Sequence, residues 1–117
     1  MSQQWKAVCQ LNDIPVLGAR VVQRAVGVPV AIFRNGDDKV FALLDKCPHK
    51  GGPLSQGIVF GEKVACPLHN WQIELQTGCA VSPDVGCALK FSVKLEDGQV
   101  YLDAHEVATL ALAPDVS

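Results

Sequence analysis

Two short segments, CPHKGG at 47–52 and CPLHNW at 66–71, constrain this chain more than any other part of it. Each sets one cysteine and one histidine in a turn that contains proline, and sixteen residues separate His49 from Cys66. Two thiolates and two imidazoles make four ligands for a transition metal, delivered as two N/S pairs. Strands flanking the two loops would hold those ligands face to face. Pro48 and Pro67 fix φ beside the cysteines, and Gly51-Gly52-Pro53 turns the backbone sharply back. Turns of this kind aim backbone N–H groups inward, where they reach acceptors on a bound inorganic centre.

The rest of the sequence reads as strands. Phe91, Val93 and Leu95 alternate with Ser92, Lys94 and Glu96, a period of two that suits a half-buried strand. Asp97-Gly98 then signals a hairpin turn, with Val100 to Leu102 as the return strand. Val28 to Phe33 and Lys39 to Leu44 form a second such pair around Asn35-Gly36, and Arg20 to Ala25 and Val64-Ala65 read as further short strands. The expected fold is all-β: an antiparallel β-sandwich or small barrel carrying the two loops at one end. The best helix signal is Asp103 to Ala113, where Asp103 and Glu106 offer a capping box and Pro114 lies beyond the end.

At 117 residues the chain is expected to be one domain over 1–117, with a core from about 5 to 103 and a C-terminal tail at 104–117. A composition of 49% hydrophobic and 19% charged residues excludes a disordered linker. Ten basic against twelve acidic residues, with no basic cluster, provide no electrostatic footprint for nucleic acid or an anionic membrane. The N-terminus lacks the basic and apolar stretches of a secretory signal, and the apolar run from Ala25 to Phe33 is too short to span a bilayer. A cytoplasmic location is therefore expected, in which disulfides among the five cysteines are disfavoured. Cys9, Cys79 and Cys87 have no histidine at ligand spacing and read as thiols without a redox role. His105 reads as a surface residue, and Trp71 as a packing residue beside the loops. No nucleophile–base–acid set, phosphate loop or dinucleotide glycine fingerprint is present, so no substrate-transforming site is expected.

The two boxes resemble the Rieske pattern, Cys-x-His followed some sixteen residues later by Cys-x-x-His, in which two histidines replace two cysteines on one iron of a [2Fe-2S] cluster. The resemblance implies that Cys47 and Cys66 bind the inner iron and that His49 and His69 bind the outer one through Nδ1. It also implies a potential within about -150 to +300 mV, above the roughly -400 mV of all-cysteine plant-type clusters, because neutral imidazoles carry less negative charge than thiolates. In the high-potential branch of the family a further cysteine in each box links the loops, and a serine and a tyrosine donate hydrogen bonds to the centre. Here those positions are Gly52, Leu68, Trp71 and Ile73, which implies the low end of the range. Structural zinc is the competing use of such a ligand set, but zinc fingers normally pair cysteine with cysteine and histidine with histidine.

Beyond the boxes, WKAVCQLNDIPVLGARVV near the N-terminus and TGCAVSPDVGCALKFSVKLEDGQVYL after the second box resemble the small subunit of assimilatory NAD(P)H-dependent nitrite reductases, from about Trp5 to Leu102. That resemblance implies a cytoplasmic complex that reduces nitrite to ammonium in nitrate assimilation. Its large subunit would carry FAD, a [4Fe-4S] cluster and sirohaem, and this chain would be an electron-transfer or stabilising partner without catalysis of its own. The alternatives are a free Rieske ferredoxin serving an aromatic-ring dioxygenase, and a structural subunit that binds zinc or nothing.

Overall fold

The computed structural model describes residues 4–24, 27–47, 52–67, 71–81 and 85–109. Its strands are Trp5–Gln10 (β1), Gly18–Val22 (β2), Val30–Arg34 (β3), Val40–Leu44 (β4), Ile58–Phe60 (β5), Lys63–Ala65 (β6), Gln72–Glu74 (β7), Lys90–Phe91 (β8), Val93–Glu96 (β9) and Gln99–Asp103 (β10), followed by one helix, Ala104–Thr109 (α1). They form three antiparallel sheets, ordered β1-β10-β9, β2-β3-β4-β8 and β5-β6-β7. The all-β antiparallel expectation holds. No helix among the described residues is long and apolar enough to cross a membrane.

β3 is the centre of the molecule because both of its faces are covered. Successive side chains of a strand point to opposite sides. Val30 and Ile32 enter one core with Cys9, Ile14, Ala42, Phe91, Val100 and Leu102. Ala31 and Phe33 enter another with Leu43, Cys47, Leu54, Val59, Val64, Cys66, Ile73, Leu75 and Ala88. The four-stranded sheet therefore lies between the β1-β10-β9 sheet on one side and the small β5-β6-β7 sheet on the other. The near-continuous apolar run of β3 records this double burial.

Several elements depart from their expected form. The alternating run from Phe91 to Glu96 is two strands: β8 pairs with β4 and β9 with β10, in different sheets. Ser92 is the joint, and its N–H and Oγ donate to the two carboxylate oxygens of Glu106, at 2.7 and 2.8 Å. Glu106 is thereby unavailable for the reciprocal half of a capping box. Asp103 still caps α1, its Oδ1 accepting from the N–H groups of His105 and Glu106. The expected helix beyond Thr109 lies outside the described residues.

The β3–β4 connection is also longer than an Asn-Gly turn, since Arg34 pairs with Val40. The buried Asn35 organises it, its Oδ1 accepting from Asp37 and Lys39 N–H at 2.9 Å each, and the positive φ falls on Asp38. Asp97-Gly98 does form the expected two-residue turn, both residues having positive φ between paired Glu96 and Gln99.

One expectation about the cysteines is overturned. Cys79 and Cys87 are partners in an isolated antiparallel bridge and form a disulfide, whereas Cys9, Cys47 and Cys66 are buried and outside any disulfide. The chain doubles back after Thr77-Gly78, where Gly78 has φ +80° and Ala88 donates its N–H to the Gly78 carbonyl, and this brings the two sulfurs together.

Candidate metal centre

Both boxes begin where a strand ends. β4 stops at Leu44, the chain bends through Asp45 and Lys46, and Cys47 follows; β6 stops at Ala65 and Cys66 follows. The two loops close in the same way. The Cys47 N–H donates to the Gly52 carbonyl at 2.7 Å, and the Cys66 N–H donates to the Trp71 carbonyl at 2.7 Å. In each case the cysteine bonds the fifth residue after it, so a narrow neck is formed with the histidine of the box inside the loop.

Cys47 and Cys66 are each 1% exposed, belong to one buried cluster and form no disulfide. Two thiols kept dry and outside any disulfide, each just beyond the end of a strand, are a fitting sulfur half for an iron–sulfur centre, with protein rather than water behind them. His49 and His69, the expected nitrogen half, lie outside the described residues, as do Pro48 and Leu68.

The first loop has a second anchor that the sequence does not advertise. The Asp45 carboxylate accepts from the Ser55 N–H at 2.7 Å and from the Ser55 hydroxyl at 2.8 Å, tying the residue two before Cys47 to the 3-10 turn Leu54–Gln56 that ends the loop. Leu54 is fully buried in the same core as the two cysteines. Gly57 follows, and a side chain there would collide with the Ala65 carbonyl one residue before Cys66, so the two loop bases lie against each other. Asp45 and Ser55 are ten residues apart, and no local spacing rule would have paired them.

The second loop is braced by the segment behind it. Trp71 packs on the core, as expected of it, and Gln72 accepts the Val81 N–H at 2.8 Å while Ile73 bridges Ala80. Cys9 sits in the other core, remote from this arrangement. Burial pushes its thiol pKa up, opposed by nearby Arg20 and assisted by Asp13, so it is a protonated, inert thiol at neutral pH.

The family described as the Rieske [2Fe-2S] domain matches residues 4–103. Ferredoxin CarAc of Metapseudomonas resinovorans is 33% identical over 103 residues, 87% of this chain and 95% of that protein. Among solved structures, the complex of oxygenase and ferredoxin in carbazole 1,9a-dioxygenase contains a chain 30% identical, with a TM-score of 0.75, 87% of this chain and 94% of that chain being covered. A structure assigned to the small subunit of an NADPH nitrite reductase is also 30% identical, with a TM-score of 0.73, covering 85% of this chain and 97% of that one.

Proposed function

Because this chain belongs to the Rieske [2Fe-2S] domain family, and so carries a [2Fe-2S] cluster and serves electron transfer, we propose that it is the small subunit of a cytoplasmic NAD(P)H-dependent nitrite reductase. In this reading Cys47 and Cys66 hold one iron through sulfur, and His49 and His69 hold the other through nitrogen, facing the partner. The cluster, when bound, supplies a one-electron couple. The chain's own residues keep that couple in place. The two neck bonds fix the loops, the Asp45–Ser55 tie holds the first against the core, and the buried surroundings of Cys47 and Cys66 keep water from the sulfur side. Nitrite reduction belongs to a large subunit carrying FAD, a [4Fe-4S] cluster and sirohaem, so electrons cross here without substrate touching this chain.

The observation that supports this partner is the likeness, along almost the whole of both chains, to the nitrite reductase small-subunit structure. A second reading, a free ferredoxin for an aromatic-ring dioxygenase, is favoured by the comparable likeness to CarAc. Co-purification of the untagged native protein separates them. Retention of a large subunit with a sirohaem absorption band is the expected result. Its absence, together with turnover when the purified chain is supplied to a ring-hydroxylating oxygenase and its reductase, would overturn the proposal in favour of the second reading.

A further inference from the structure

Cys79 and Cys87 take no part in the role proposed for the metal centre. They face each other across an isolated bridge with Cα atoms 3.9 Å apart and sulfurs bonded. Three observations separate this pair from a buried staple. Cys87 is exposed and Cys79 half-buried, whereas Cys9, Cys47 and Cys66 are all buried. Backbone bonds on either side, Ala80 N–H to Gly86 O at 2.8 Å and Ala88 N–H to Gly78 O at 2.7 Å, keep the two residues adjacent without help from the sulfurs. The Cys79 Sγ also lies 3.7 Å from the Thr77 carbonyl oxygen, an acceptor for the hydrogen of a free thiol. A reachable disulfide whose ends stay together once it opens is suited to repeated exchange.

We propose that Cys79–Cys87 is a second redox site, a two-electron thiol–disulfide couple whose reaction partner is a protein dithiol of the Cys-x-x-Cys class. The partner's thiolate attacks the solvent-facing Cys87 Sγ. The bond between the two sulfurs of this chain breaks, and Cys79 leaves as a thiolate and takes a proton. The partner's second thiol then attacks the mixed disulfide and frees Cys87 as a thiol. This chain gains two electrons and two protons, and the partner departs as a disulfide. The site is mechanically linked to the metal centre: Val81, two residues beyond Cys79, is bonded to Gln72, which follows the Trp71 carbonyl that closes the Cys66 loop. Reduction thus removes a covalent tie from the segment that braces the second loop and leaves its backbone bonds in place.

The test uses holo-protein purified without reductant, alkylated in the native state before and after treatment with reduced thioredoxin, with modified cysteines located by peptide mass mapping. The expected result is no modification at 79 and 87 beforehand, a gain of two modified cysteines per chain afterwards, and reversal by oxidised glutathione. Limited proteolysis between the two cysteines should accelerate severalfold on reduction, and the Cys79→Ser/Cys87→Ser double variant should be cleaved at the fast rate with or without thioredoxin. Two free thiols at 79 and 87 even after oxidised glutathione would overturn the proposal. So would a disulfide that thioredoxin opens only in unfolded protein. These readouts are the same whichever oxidoreductase the metal centre serves.

Discussion

Ile32 and Phe33 are neighbours in β3, yet they belong to regions built by different means. Ile32 faces a core enclosed by long ladders, with β1 and β10 paired from Trp5↔Asp103 to Gln10↔Gln99. Phe33 faces a core whose far wall is three strands of three residues each, entered through the loop that starts at Cys47 and interrupted between β6 and β7 by the loop that starts at Cys66. The first region is held by many regular backbone bonds. The second depends on a few particular ones: two loop necks and the Asp45–Ser55 tie. A region of short strands and loops is the lower-stability unit of a fold, and a metal bound there contributes directly to its folding.

The contrast is most severely tested by exchanging one sulfur for oxygen in each region. Cys66→Ser should abolish iron binding, whereas Cys9→Ser should retain full iron and sulfide per chain; equal losses in the two variants would erase the distinction. Next in size is truncation on either face of β3. Phe33→Ala should lower stability by about 3–5 kcal/mol and Ile32→Ala by about 2–5 kcal/mol. In the first variant the visible absorption should vanish at lower denaturant than the far-ultraviolet dichroism, and in the second the two should fall together.

A smaller effect is expected at the loop tie. Asp45→Asn removes a charged acceptor shared by two donors and should weaken the first loop by about 1–3 kcal/mol, read as faster iron release to a chelator. Ser55→Ala, which leaves the N–H bond in place, should do less. The smallest effect concerns Cys9, whose folded pKa is raised. The unfolded chain loses this proton first, so the contribution to stability is intact below the ordinary thiol pKa of about 8.5 and is lost as pH climbs through the raised value. Chemical denaturation of Cys9→Ala should show a flatter alkaline decline than the parent chain; parallel curves would contradict the burial of that thiol.

What the sequence disclosed follows the range of the forces involved. The Cys-x-His and Cys-x-x-His boxes, the Asp97-Gly98 turn and the β-branched and aromatic run that becomes β3 are written in adjacent residues and are legible there, whereas the burial of both faces of β3 is seen only in the fold. The split at Ser92 is not legible either, because alternation continues unbroken from Phe91 to Leu95 and only the distant Glu106 reveals that two sheets meet there. The Asp45–Ser55 tie and the Cys79–Cys87 pair escaped for the same reason, since both are set by how loops return in space. Two cysteines spaced eight apart just after Thr77-Gly78 are the hint in the sequence that the chain returns on itself there, a signal that composition and an expected reducing compartment obscure.

The strand Val30–Arg34 works as a ruler read from both sides. A slip of one residue would present Ala31 and Phe33 to the core that expects Val30 and Ile32, and the reverse on the opposite face. Misalignment therefore spoils two interiors at once, and no partial error leaves either intact. The innermost segment of this protein thereby enforces its own alignment, and its five residues have only one acceptable phase.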